Sequence, residues 1–273
     1  ALPLCLSCHV FKLDNNDDNN DDNNDNNTTT NNNNNDDDLP EVHASAAGLK
    51  ALCCCLAADG IEDLRRACGG HGYLISSGIA PLEADFKGPN TTAEGDYVVL
   101  ALQTARFLLK SIEAVRRGGI LPGTMAIFAP LSDPTFDPQL GDGRPTPPTQ
   151  LVHTLTSSDE ECCRTTRGYL LELFAYRSLV RTSRMCAAYN QTLQRTNNNQ
   201  GQARAENARA MQTAALAHVR FFMLSKFFAE VENVEAGPER LTVHRLATFF
   251  ALSEIANGGS GWAGIITAVE CDG

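Results

Sequence analysis

Two short groups of residues carry the types and spacing that could do chemistry. One is Arg65-Arg66 followed by Gly69-Gly70, within "RRACGGHGY". Glycines lack the Cβ that would hold a ligand off, so a phosphate or a second backbone can come close, and the arginines just upstream can pair with it. Two glycines behind a helix are also an ordinary helix stop, and alone they read that way. The second group sharpens the reading. Roughly twenty residues further on, Glu94 stands directly before Gly95 at the mouth of another helix. Two arginines, two glycines and then a carboxylate ahead of a helix form a more specific combination than any one of them.

The elements that must position these groups are helices. In "AEGDYVVLALQTARFLLK", Val98, Leu102, Ala105, Leu109 and Ile112 alternate four and three apart, the spacing of one helical face, which predicts a helix from Glu94 to about Arg117. Upstream, "LPEVHASAAGLKALCCCLAADGIEDLRRA" opens with Pro40 and Glu41, suited to a first turn, and carries a stripe of Leu49, Leu52, Leu56 and Leu64. Residues 71–92, with their Gly and Pro, read as a loop of little regular structure. Residues 121–157 read as a Pro/Gly-rich interdomain linker. Three further helices are expected at about 158–195 (apolar side Leu170, Leu173, Phe174), 203–231 (Leu216, Val219, Phe222, Met223) and 240–256. No convincing strand or internal repeat is visible. The expectation is all-α, in two lobes.

Composition narrows the functions. The chain has 273 residues, 42% of them hydrophobic, and a formal net charge of −11. Nine Asp fall between Asp14 and Asp38 with no Lys or Arg among them, so the rest carries only −2. That Asn/Asp/Thr tract has nothing apolar to bury and is expected to be disordered. The nearly neutral remainder has no basic stripe to neutralise phosphates, which argues against nucleic acid. No apolar run looks long enough to span a bilayer. The opening, "ALPLCLSCHVF", reads like the interior of a helix ending near Leu13, without an initiator Met or a signal peptide, and suggests a fragment.

Ten cysteines include Cys53-Cys54-Cys55 and Cys162-Cys163. Adjacent cysteines on a helix splay apart, so they read as buried reduced thiols rather than a disulfide framework. "CLSCH" at Cys5–His9 fits a haem-attachment spacing, but it is short and stands on an apolar face without an export signal. "GGSGWAG" lacks the Lys-Ser/Thr of a phosphate loop. His153, His218 and His244 show no ligand spacing, and no metal site is expected.

The segments "LPEVHASAAGLKAL", "AADGIEDLRRACGGHGY", "AEGDYVVLALQTARFLLK" and "ILPGTMA" resemble, in order and spacing, the peroxisomal acyl-CoA oxidases, relatives of the acyl-CoA dehydrogenases. The likeness is strong from about Leu39 to Ala126 and continues more weakly beyond. It implies a dehydrogenase-type C-terminal helical bundle (39–120) followed by the oxidase-type C-terminal helical domain (158–273), with the family's upstream flavin-covering half absent. It further implies that Glu94 is the catalytic base, taking the α-proton of an acyl-CoA while the β-hydrogen leaves as hydride to FAD. The Glu94 N–H would help hold the thioester oxygen. Gly95 would let substrate and flavin approach. Arg66, Gly69 and Gly70 would contact FAD across a homodimer, with Asp96 also at the cofactor. Electrons passing to O2 would give H2O2 and a trans-2-enoyl-CoA in fatty acid β-oxidation.

Departures from the family pattern are Ala93, where a Tyr is common, and Tyr97 and Val98 at polar positions. They bear on flavin affinity more than on the base. Location in the peroxisome rests on the resemblance, since the chain ends "ECDG" without a Ser-Lys-Leu address. The isolated chain is expected neither to retain FAD nor to turn over. The rival expectations are a catalytically inactive helical dimerisation module and an acyl-CoA dehydrogenase.

Overall fold

The computed structural model describes residues 39–119, 121, 123–133, 135–136, 160–257 and 262. The expected helix end at 1–13, the Asn/Asp tract, "CLSCH" and His153 lie outside them. Among the described residues the chain is all-helical, as expected. The helices are α1 (Leu39–Ala67), α2 (Ile79–Thr92), α3 (Tyr97–Arg116), α4 (Glu160–Arg195), α5 (Gln200–Glu206), α6 (Ala208–Asn233) and α7 (Pro238–Asn257). Short 3-10 segments occupy Gly69–Tyr73, Ile75–Ser77 and Gly123–Ser132.

Small residues set how α1 meets its neighbours. Ala44, Ala47, Gly48 and Ala51 are buried on one face, which lets the backbone of α1 approach α3 and α6 closely. Thr104 of α3 donates a hydrogen bond to the Ala44 carbonyl at 2.9 Å, a buried polar tie across the seam. Of the expected leucine stripe, Leu52 is buried, Leu49 and Leu56 are partly covered, and Leu64 is 67% exposed. An 18-residue window of α1 reaches a mean hydropathy of 1.4, enough by length and composition alone to cross a membrane. This corrects the expectation that no stretch comes close. The apolar residues here serve the contact with α3 and α6.

The face of α3 is also corrected. The buried set is Leu100, Ala101, Thr104, Ala105, Leu108, Leu109 and Ile112, whereas Val98 and Val99 are exposed. Apolar residues cover two adjoining faces of this helix, so periodicity alone fits either; the packing of α1 and α6 selects one.

The expected loop at 71–92 is largely helical. Gly78, with φ 75°, takes the left-handed position that starts α2. Pro81 falls in the first turn, where its missing N–H has no partner to lose. Gly and Pro were read as breakers, yet here they mark an entry. No α2 residue is buried, so burial patterning could not reveal it.

Helices of the two expected lobes pack against one another. Met125, Phe128 and Leu131, at the start of the presumed linker, are fully or almost fully buried, and Arg116 Nε donates to the Leu131 carbonyl at 3.0 Å. One apolar cluster joins Leu52 of α1, Leu108 of α3, Met185 of α4 and Met211 of α6. A second joins Leu170 and Phe174 of α4, Leu224 and Phe228 of α6, and Ala247 of α7. The long helices α4 and α6 run through both clusters, so the chain halves share a core. Leu170, Leu173, Phe174, Leu216 and Val219 are buried as expected, while Phe222 and Met223 are half-buried.

Cysteine placement is mixed. Cys163 and Cys186 are buried, and burial pushes the Cys186 thiol up to about 11. Cys53 and Cys68 are exposed, so the three-Cys run is not simply core filler. Among the described residues none of the seven cysteines is joined in a disulfide.

Candidate functional site around Glu94

The chain between α2 and α3 is four residues long, from Ala93 to Asp96, and each is held by a distinct device. The Ala93 N–H closes α2 by donating to the Pro89 carbonyl at 2.7 Å. Glu94 adopts φ 64°, a left-handed conformation that a non-glycine residue seldom takes. Gly95 follows at φ 114°, and a Cβ there would stand 2.9 Å from the Leu100 side chain. The φ at 95 favours glycine, and a larger residue there would also have to displace the Leu100 side chain. Asp96 Oδ1 accepts from Val98 N at 2.7 Å and Val99 N at 2.9 Å, the N-cap of α3. The helix thus begins at Tyr97 rather than at Glu94.

Lys50, from the middle of α1, reaches this turn. Its Nζ donates to the Ala93 carbonyl at 2.5 Å and to the Gly95 carbonyl at 2.6 Å, one on each side of Glu94. The Glu94 side chain is exposed, and among the described residues nothing accepts its N–H. Sequence reasoning passed over Lys50, because a lysine on an amphipathic helix looks like a solvated residue and its partners lie more than forty positions away. Tyr97 is half-buried beside this turn; burial pushes its phenol up, opposed by the nearby Arg220. Arg220 itself pairs with Glu254 of α7.

The arginine–glycine group is a separate locus. Arg65 is tied to Glu62 at 2.6 Å, lies 3.9 Å from Glu83 of α2, and stacks over the Tyr73 ring at 4.4 Å. Arg66 pairs with Glu62 at 2.7 Å but keeps 66% of its side chain exposed. A Cβ at Gly69 or Gly70 would meet nothing within 4 Å, so both present open backbone. Gly72 is the sterically obligatory glycine, since a Cβ there would lie 2.0 Å from the Arg65 carbonyl oxygen. Lys50 and Arg66 are sixteen helical residues apart, about 24 Å along the axis of α1. Glu94 and Asp96 therefore sit together, while Arg66, Gly69 and Gly70 stand at the far end of α1. No hydrogen bond or ion pair joins the two loci among the described residues.

The remaining motifs resolve as structure. Trp262, from the Gly-rich C-terminal stretch, is buried edge-on to Phe174 at 4.9 Å, under the Arg177 guanidinium at 4.2 Å. His218 and His244 are buried, the first against Phe128 and the second against Phe228. Among the described residues no group of three His, Cys, Asp or Glu is arranged to hold a metal ion.

Comparison with known proteins gives a consistent answer. The family described as "Acyl-CoA oxidase, C-alpha1 domain" matches residues 3–109, and that described as "Acyl-CoA oxidase" matches residues 168–261. Peroxisomal acyl-coenzyme A oxidase 1 of Arabidopsis thaliana is 36% identical over 195 residues, 71% of this chain and 26% of that protein. The structure of LeACX1, an acyl-CoA oxidase from Lycopersicon esculentum (tomato), aligns with a TM-score of 0.71 at 30% identity, covering 85% of this chain and 32% of that one. Acyl-CoA oxidase-2 of Caenorhabditis elegans, whose structure was determined with FAD, ascaroside-CoA and ATP, shares the fold at 22% identity and a TM-score of 0.66, over 86% of this chain and 31% of that one. The chain thus spans about a quarter to a third of the length of these relatives. With matches on both sides of the Pro-rich stretch and one helical architecture in common, this chain belongs to the acyl-CoA oxidase family and carries its C-terminal domains.

Proposed function

We propose that the chain is the C-terminal part of an FAD-dependent, peroxisomal acyl-CoA oxidase, with Glu94 as the catalytic base. The observation that carries this reading is the turn at Glu94. It combines an exposed carboxylate, a backbone N–H with no acceptor and an adjoining glycine, all at the mouth of a capped helix. A substrate thioester seated there would find both of the groups it needs. The carboxylate takes the α-proton, and the Glu94 N–H donates to the thioester oxygen on which the enolate charge develops.

Bound FAD would supply the two-electron acceptor for the β-hydrogen and deliver the electrons to O2, leaving trans-2-enoyl-CoA and H2O2. The residues present fit such a group. Gly69 and Gly70 offer open backbone beside the exposed Arg66, suited to a phosphate. The length of α1 between Arg66 and the Glu94 turn supports assigning the Arg/Gly end to the cofactor of a second copy in a homodimer. Exposed Leu74, Ile75 and Leu82 near that end support a covering partner. Asp96, committed through Oδ1 to the cap of α3, acts at the cofactor by fixing the helix mouth.

The test joins this chain to a flavin-binding upstream half and measures H2O2 release with a long-chain acyl-CoA. Glu94→Gln is expected to lower kcat by about 10²–10⁴-fold, the usual range for a positioned base. Equal rates in the two proteins would remove Glu94 from the chemistry. No rate in either would favour a non-catalytic helical module.

A further inference from the structure

We propose that Lys50 is the positioning residue of this site: it holds the Ala93–Glu94 and Gly95–Asp96 peptide units so that the Glu94 N–H points out of the protein toward the substrate. This inference rests on the assignment of Glu94 above. Its physical basis is the pair of hydrogen bonds from one ammonium group to the carbonyls of Ala93 and Gly95, at 2.5 and 2.6 Å. An ammonium has three donors and no acceptor, and its charge strengthens each bond to a carbonyl.

Two consequences follow from backbone geometry. A trans peptide places its C=O and N–H on opposite sides, and no cis peptide is present here. With the Ala93 carbonyl turned toward Lys50, the Glu94 N–H is directed away from α1, and this is the N–H that no described group accepts. The second consequence concerns φ. A glutamate at φ 64° is strained, and it persists only where its surroundings hold it. Lys50 grips both neighbours of that residue, while the Pro89 carbonyl and the Asp96 cap fix the chain on either side. Without the ammonium, Glu94 can relax toward a right-handed or extended conformation, which would turn the N–H away and swing the carboxylate with it.

The clamp joins two helices as well. Lys50 belongs to α1, whose small-residue face packs on α3, so the position of its ammonium is set by the buried seam at Gly48 and Thr104. A flexible lysine would not by itself be a precise tether. Here both carbonyl partners converge on it, which narrows its conformations.

The experiment has two arms. In the 273-residue chain, cleavage of the Glu94–Gly95 bond by a glutamate-specific protease is followed by mass spectrometry, with helical circular dichroism as the control for folding. Lys50→Met is expected to speed that cut about tenfold or more relative to cuts at other glutamates, and Lys50→Arg, which also donates to two carbonyls, to restore slow cleavage. Lys50→Gln serves in place of Met if the Met variant does not fold. Equal cleavage at Glu94–Gly95 in folded wild type and variants would overturn the proposal.

In the second arm, the chain joined to its flavin domain is assayed with acyl-CoA. Lys50→Met is expected to lower kcat and kcat/KM together by about ten- to a hundredfold with KM little changed, the pattern of a contact made in the transition state. A raised KM at unchanged kcat would also overturn it. Activity surviving in Glu94→Gln would sink the base assignment alone, because the protease arm reads the clamp independently of catalysis.

Discussion

Gly48 of α1 and Val219 of α6 are packed so closely that a Cβ added to the glycine would lie 2.4 Å from the valine Cγ2. The same Cβ would approach Thr104 Oγ1 at 3.0 Å. Alanine at 48 would gain about 1 kcal/mol of helix propensity. Overpacking against a stiff β-branched side chain in a buried seam costs about 1–3 kcal/mol, and the clash wins. Gly48→Ala is therefore expected to destabilise the chain in urea titration, and Val219→Ala in the same chain to recover part of the loss. Additive effects of the two changes would show that the seam does not couple them.

Asp96 caps α3 through a single oxygen that accepts two N–H groups. Asp96→Ala should cost about 1 kcal/mol, within the usual range for a lost N-cap, whereas Asp96→Asn retains the acceptor and should stay within a few tenths of wild type. Thermal midpoints of the two variants, compared at one pH, decide this. Equal losses would assign the residue's effect to its charge instead.

His218 is buried against Phe128, its Nδ1 has no hydrogen-bond partner, and burial lowers its pKa from 6.5 to about 4. The unfolded chain therefore takes up a proton on this ring before the folded one does. Stability from His218 is complete above pH 6.5 and is lost as pH falls from 6.5 toward 4, on the order of 3 kcal/mol in all. Urea titrations at pH 7 and pH 5 should differ by less in His218→Leu than in wild type. His244 is shifted in the same direction, also chiefly by burial, so its leucine variant should flatten the remainder. An unchanged pH slope in His218→Leu would rule the ring out as a source.

The candidate site divides cleanly into legible and illegible parts. Glu94-Gly95 and Arg66 with Gly69-Gly70 could be singled out because glycine, arginine and carboxylate each have few physical reasons to occur in such company. The helix that follows Glu94 was legible from its periodicity, but its buried face was misread at Val98, because adjoining apolar faces leave that choice to the neighbouring helices. Helix α2 was hidden because it buries nothing, and the Gly and Pro around it look alike whether they break a helix or start one. Phe128 and Trp262 were missed for the opposite reason: single large apolar residues inside Gly/Pro-rich stretches carry no period, yet both are core.

By itself, the sequence determined the helical class, the family, the acid and glycine of the turn, and the glycines at the end of α1. All of these depend on residue type and on spacing of a few positions, which local physics can read. Tertiary structure decided that the two halves share one core, that the Glu94 turn stands at the middle of α1 and the Arg66 locus at its C-terminal end, and that Lys50 grips the turn at Glu94. Those facts bring together groups tens of residues apart, and their geometry is settled only when α1, α3 and α6 bury a common face.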